Sequence, residues 1–264
     1  MKKEFIIAIM CIFVTILAVS AVIATAPIGE ETPIGVDIAK EKVQEFVNDS
    51  SVNIQYQNTE CLNIGDYYTF SAGNGQVYVN MYTGVIERSS FIDARKSSGE
   101  IRLDYAGPEM VAKEYAEEKY SGFADMNMQL IKSDLRNHGD ADSENSFIWR
   151  ETIEGVLTPN TVVVNINPAS GRIVSYIGIK REINCVLEPE LSEEDALKIA
   201  EKQFPDIRVT EKTAELTIEY TKPDVQSLTW VITMKGKPKD YVLQGGLVVI
   251  DALTGEVLMT SPYL

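Results

Sequence analysis

Histidine occurs once, at His138, and cysteine three times, at Cys11, Cys61 and Cys185, in a chain of 264 residues. Zinc centres draw on exactly these ligand types, so their scarcity excludes most zinc chemistry. Any Ser-His-Asp or Cys-His catalysis would rest on His138 alone. Basic residues are also few, 24 against 39 acidic, for a net charge of −15. Such a surface repels phosphate backbones and anionic headgroups, which argues against nucleic-acid binding. What remains is an ordinary globular composition, 45% hydrophobic and 24% charged.

One long apolar run is present. Lys2 and Lys3 precede Phe5 to Ala26, an uncharged stretch interrupted only by Thr15, Ser20 and Thr25. At about 1.5 Å per residue a helix over these residues is long enough to cross the hydrocarbon core. Residues 1–26 are therefore read as a membrane anchor, with a cleaved signal peptide ending at Ala24-Thr25-Ala26 as the alternative. Either way the lysines stay inside and the remainder lies outside the cytoplasm, secreted if cleavage occurs. Beyond Ala26 the chain has 22 basic and 38 acidic residues, a net charge of −16. Cys61 and Cys185 are the thiols of that exported part and the candidates for one disulfide, two buried free thiols being the alternative.

The same strand and turn occurs three times, as GQVYVNMYTGVIE from Gly75, NTVVVNINPASGRIV from Asn160 and GGLVVIDALTGEVL from Gly245. Aligning Gly84, Gly171 and Gly255 places Asn80, Asn167 and Asp251 four residues earlier and Thr83, Ser170 and Thr254 one residue earlier. An Asn or Asp side chain can bond backbone groups two residues on, and glycine supplies the positive φ that closes such a turn. Upstream, FIWRETIEG and LTWVITMKG align Trp149 with Trp230, and Tyr67, six residues before Gly73, is a shorter echo. A helix precedes each: Ala112, Ala116 and Tyr120 match Ala196, Ala200 and Phe204 at the i, i+4, i+8 spacing of one apolar face. Ser192 to Asp195 forms a capping-box start for the last helix. Ala112 to Gly171 and Ala196 to Gly255 both span 59 residues. The first copy starts at Ile38, Ala39, Val43, Phe46 and Val47.

These spacings predict an α+β chain: an N-terminal transmembrane helix, then three tandem units, each a helix packed on a three- or four-stranded antiparallel sheet. The expected bounds are 34–92 for a short, degenerate unit, 105–182 for the second and 186–264 for the third.

At LSEEDALKIAEKQFPDI, LTWVITMKG and GGLVVIDALTGEVL the third unit resembles a PepSY domain, with Asp251, Ala252, Thr254, Gly255 and Val257 in the family's closing strand. The second unit is a weaker match, with Asn167 and Pro168 in place of the Asp and Ala, and the first is suggestive. PepSY domains occur in propeptides of thermolysin-type metallopeptidases and in membrane-anchored extracytoplasmic proteins, one of which accompanies a cortex-lytic enzyme. The resemblance implies a non-catalytic module that inhibits, escorts or localises a peptidase or cell-wall hydrolase acting as a separate protein. It carries over no catalytic residue and no cofactor. The chain has no His-Glu-x-x-His.

Other features receive plainer readings. Asp140, Asp142, Glu144 and Glu151 fall on positions 1, 3, 5 and 12 of a calcium-loop pattern. Asn145 stands where that loop needs glycine, and Phe147-Ile148-Trp149 continues as strand, so a solvated acidic hairpin loop is the reading adopted. Trp149 and Trp230 are expected to pack in the core, and Lys235, Lys237 and Lys239 to decorate a hairpin tip. Asn48-Asp49-Ser50 is a glycosylation sequon. The alternative to a hydrolase-binding module is a structural or sensory surface protein that self-associates or binds cations.

Overall fold

The computed structural model describes residues 32–62, 64–91, 94, 106–137, 143–222, 225–239 and 242–263. Three helices and twelve strands lie among them, a mixed α+β fold with a large sheet. The apolar run over residues 5–26 lies outside the described residues. Among the described residues no helix is long and apolar enough to cross a membrane.

The chain divides into two compact units. The larger comprises Pro33–Glu190 and Glu215–Thr229; the smaller includes Leu191–Ala214 and Trp230–Leu264.

In the larger unit, α1 (Val36–Val47) buries Ala39 and Val43 and ends where Asn48 turns left-handed at φ 51°. Hairpins follow: β1 (Ile54–Leu62), β2 (Gly65–Ala72), β3 (Gly75–Asn80) and β4 (Ile86–Phe91), each antiparallel to the next. Alternation decides which side chains face α1. Tyr68, Phe70 and Ala72 from β2 and Val77 and Val79 from β3 close over Ala39 and Val43. The next helix, α2 (Ala106–Lys119), presents Ala112 and Ala116, followed by Tyr120, to Phe147, Trp149, Val162, Val164, Ile166 and Tyr176. These come from β6 (Ser143–Ile153), β7 (Val156–Ile166) and β8 (Ile173–Ile179), while β5 (Met128–Asn137) pairs with β6.

The two helix-and-hairpin sets do not form separate sheets. Strand β4 pairs antiparallel with β8 through Arg88↔Ile177, Ser89↔Tyr176 and Ser90↔Ser175, so one sheet runs beneath both helices. The physical reason is that each set ends on a strand with an unpaired backbone edge, and joining them satisfies both. Part of β9 (Val209–Lys222) also joins this sheet, parallel to β7 at Leu157↔Thr217.

The smaller unit holds α3 (Glu193–Glu201), the start of β9, most of β10 (Val225–Lys239), β11 (Val242–Asp251) and β12 (Val257–Pro262). Ser192 caps α3: its Oγ accepts from Asp195 N at 3.2 Å and donates to the Asp195 carboxylate at 2.9 Å. Ala196 and Ala200 are fully buried, small enough to let α3 lie close to β11. The strand order is β9-β10-β11-β12, which leaves β12 at the edge.

Candidate functional site

The repeated turn is built from the same hydrogen bonds in all three places. Asn80 Oδ1 accepts from Tyr82 N and Thr83 N at 3.0 and 3.1 Å. Asn167 Oδ1 accepts from Ala169 N and Ser170 N at 2.9 and 3.1 Å. Asp251 Oδ1 accepts from Leu253 N and Thr254 N at 2.9 and 2.8 Å. The glycine N–H then donates back to the carbonyl of the Asn or Asp, at 2.9, 2.8 and 2.9 Å for Gly84, Gly171 and Gly255. These glycines have φ of 69°, 70° and 76°, which an L side chain rarely adopts. Thr83, Ser170 and Thr254 accept from the N–H two residues on. Turn formation thus engages Oδ1 of Asn80, Asn167 and Asp251 alike.

A strap joins the first and third turns to what precedes their helices. Leu191 N donates to Ala252 O and the Trp230 indole Nε1 donates to Leu191 O, both at 2.9 Å. Likewise Ile34 N donates to Met81 O at 2.8 Å and the Tyr68 hydroxyl donates to Ile34 O at 3.0 Å. The counterpart of Trp230 is therefore Tyr68, not the Tyr67 that counting back from Gly73 selects. Both hairpins close on two-residue turns, but Gly73 is the first residue of its turn and Gly155 the second, so counting back from the glycine lands one residue off, on the opposite face of the strand. Trp149 is also buried, stacked on Phe147 and edge-on to Phe123.

Tyr67 enters a different arrangement, missed in the sequence. Its hydroxyl donates to Glu87 Oε2 at 2.5 Å, and Arg181 grips the same carboxylate from the other side, Nη1 to Oε1 at 2.7 Å and Nη2 to Oε2 at 2.8 Å. Arg181 Nη2 also donates to Ile64 O, and Asn80 Nδ2 donates to Glu87 Oε1. From its backbone Arg181 extends the network: its N–H donates to Asn160 Oδ1, and Asn160 Nδ2 donates to Glu151 Oε2. Thr158 Oγ1 donates to the same Glu151 oxygen. Burial opposes charge on Arg181, but the hydrogen bonds and charge of Glu87 outweigh it and hold the guanidinium above its ordinary value. Burial, reinforced by the Glu87 charge, pushes Tyr67 up. One sequence signal pointed here: Glu87 lies three residues after Gly84, where the other copies carry Val174 and Leu258.

The calcium-pattern residues are not assembled by what is described. His138, Asp140 and Asp142 lie outside the described residues. Glu144 faces Arg136 Nη1 at 3.5 Å, whereas Glu151 is engaged by Thr158 and Asn160. Among the described residues no three His, Cys, Asp or Glu groups come together to hold a metal ion. Cys61 and Cys185 are both free thiols, the first exposed and the second half-buried, so neither the bridge nor the fully buried alternative is what the structure has. Burial alone raises the Cys185 thiol, and a hydrogen bond with Asp66 raises that of Cys61, which keeps both protonated and poorly nucleophilic. Lys235 pairs with Glu211 at 2.7 Å, Lys237 is exposed, and the Lys239 side chain lies outside the description. Asn48 of the sequon is exposed at the end of α1.

A cleft of about 460 Å³ is lined by Phe46, Tyr115, Lys119 and Arg172. Its Lys119 is committed to Phe46 O at 3.0 Å and to the Phe46 ring. The more open feature is the edge strand β12, paired to β11 on one side from Gly246↔Pro262 to Ile250↔Val257. No strand pairs with its other side among the described residues. Leu258 on this strand is 38% exposed.

Residues 190–259 match the family model for the PepSY domain, described as peptidase propeptide and YPEB domain. Among solved structures, the chain is similar to the Bacillus megaterium YpeB C-terminal domain. That likeness has 15% identity and a TM-score of 0.51, over 88% of this chain and 99% of the other, and it shows a shared fold. A second similar structure is an uncharacterized protein from Eubacterium rectale ATCC 33656, with 14% identity and a TM-score of 0.40, over 84% of this chain and 80% of that one. No curated protein matches the sequence.

Proposed function

We propose that this chain, which carries a PepSY domain at residues 190–259, is a non-catalytic module outside the cytoplasm that inhibits, escorts or localises a peptidase or cell-wall hydrolase. PepSY domains often regulate peptidases, and that match is the observation carrying the reading. Residues 5–26 would tether it to the membrane, as their length and the flanking lysines suggest. The three turns, sharing every hydrogen bond, support three PepSY-like copies in tandem, the first two merged through β4 and β8.

The edge strand β12 supplies a means of engagement. An extended segment of the partner would add to the sheet through main-chain hydrogen bonds, with Leu258 offering side-chain contact beside it. A lysine at an edge strand discourages such pairing. The test is an envelope pull-down with the full chain and with Leu258→Lys. The native chain should return a peptidase or hydrolase whose activity it alters, and the variant should return at least tenfold less. Repeated recovery of no hydrolase, or of one whose activity is unchanged, would overturn the reading.

A further inference from the structure

The three helix-and-turn copies differ at their surface positions. The second and fifth residues after the Asn or Asp of each turn are Tyr82 and Val85 in the first copy, Ala169 and Arg172 in the second, and Leu253 and Glu256 in the third. The residue before the buried alanine of each helix, Ala39, Ala112 or Ala196, is Ile38, Val111 and Asp195 in the same order. The first copy alone carries large apolar side chains at all three places. There they stand in the open, Ile38 at 51% exposure, Tyr82 at 36% and Val85 at 50%. Single exposed apolar residues are ordinary; three gathered at one end of a fold are not.

They do gather at one end, the end at which the chain enters the larger unit. Ile34 N donates to Met81 O at 2.8 Å, next to Tyr82. A Cβ on Gly84, next to Val85, would lie 3.1 Å from Ile34 Cδ1 and 2.7 Å from Lys42 Cε. Ile38 stands one helical turn before Lys42 on α1. Where the third copy sets Ile199 against its glycine, the first sets the stem of the half-buried Lys42. Tyr82 keeps its hydroxyl on Asp66 at 3.1 Å. A tyrosine and a lysine, each with an apolar body and a polar tip, are the side chains favoured where hydrocarbon meets water.

We propose that this end of the larger unit rests on the membrane surface, with Ile38, Tyr82 and Val85 entering the headgroup layer; this rests on residues 5–26 being the tether. Chain length brings the patch within reach. Seven residues separate Ala26 from Ile34, and fully extended they span at most about 28 Å, of which the headgroups take up part. Charge decides the kind of contact. A net charge of −15 repels anionic lipid, so attraction comes from apolar burial against neutral headgroups. Three side chains are a weak anchor for a free protein, but the tether makes the contact intramolecular, and few then suffice.

The experiment reconstitutes the full chain into phosphatidylcholine vesicles holding a trace of phosphatidylcholine with a photoactivatable diazirine on its headgroup. Adducts formed on illumination are mapped by mass spectrometry. The native chain should carry them on residues 34–42 and 80–88 as well as beside residue 26. Ile38→Asp with Val85→Glu, the side chains that the third copy carries, should cut the adducts on residues 80–88 at least fivefold and leave those beside residue 26 unchanged. Tyr82→Ser, read on residues 34–42, gives the same comparison if that pair fails to fold. Adducts confined to residues 1–33 of a chain retained on the vesicles would overturn the proposal and leave the tether standing. Equal adducts on the second turn, residues 167–173, or on the folded variants would overturn it as indiscriminate contact. Dimers lost in the variants, with no lipid adducts, would give the patch to a second copy instead. A chain that washes off the vesicles would overturn the tether, and this contact with it.

Discussion

Arg181 and Glu87 are 94 residues apart and meet in a two-bonded ion pair at 2.7 and 2.8 Å, with Glu87 almost wholly buried. The pair ties Arg181, two residues after the end of β8, to the bulged start of β4. The linker toward the PepSY domain therefore leaves from a fixed point on the larger unit. A buried carboxylate stripped of its partner is far more costly than the pair's net worth.

Arg181→Met should accordingly destabilise the larger unit by about 3 kcal/mol, measured by urea unfolding. Combining it with Glu87→Leu should recover most of that loss, because no uncompensated charge remains. Equal stability of the single and double variants would show that the pair is a bystander.

High pH should unfold the protein through its tyrosines. Burial raises Tyr67, Tyr115, Tyr120 and Tyr176 above the ordinary 10.0, so each folded hydroxyl holds its proton more tightly than the unfolded one. Their contribution is complete below pH 10 and falls as pH rises above it. Ultraviolet titration should show these four ionising only together with loss of near-ultraviolet dichroism. Reversible ionisation at ordinary values in the folded chain would contradict the burial.

The turns permit a sharper comparison. Asp251→Asn should leave stability within about 0.5 kcal/mol, since the other two turns use Asn, while Asp251→Ala orphans two backbone N–H groups at about 1 kcal/mol each. Gly255→Ala meets nothing closer than Ile199 Cδ1 at 3.6 Å, so its cost is that of the left-handed backbone alone, about 1–2 kcal/mol. Thermal melts of the three variants give the order directly.

Gly245 presents the opposite case. A Cβ there would sit 2.0 Å from Met234 O, a backbone atom that cannot step aside. Gly245→Ala should disrupt the smaller unit while the Tyr absorbance change of the larger persists, and a variant that melts like the native chain would refute the close approach.

Much of this was legible in the sequence because it is local. Each turn is set within five residues by an Asn or Asp, a Thr or Ser and a glycine, and each helix face by two apolar residues one turn apart. The PepSY resemblance rested on the same short-range pattern, and the family match falls on residues 190–259. The Tyr67 alignment failed for an equally physical reason. The glycine is the first residue of one two-residue turn, at Gly73, and the second of the other, at Gly155, so counting from it lands on the opposite face of the strand.

The separation falls between local chemistry and register. By itself the amino-acid sequence determined the thrice-repeated turn, the helices with their buried alanines, the excess of acid and the scarcity of catalytic side chains, since each depends on neighbours in the chain. Only the tertiary structure decided that β4 and β8 join and that Arg181 closes on Glu87. Those outcomes depend on which strand edges meet and in what register, a global compromise among backbone hydrogen bonds and core packing that no short segment encodes.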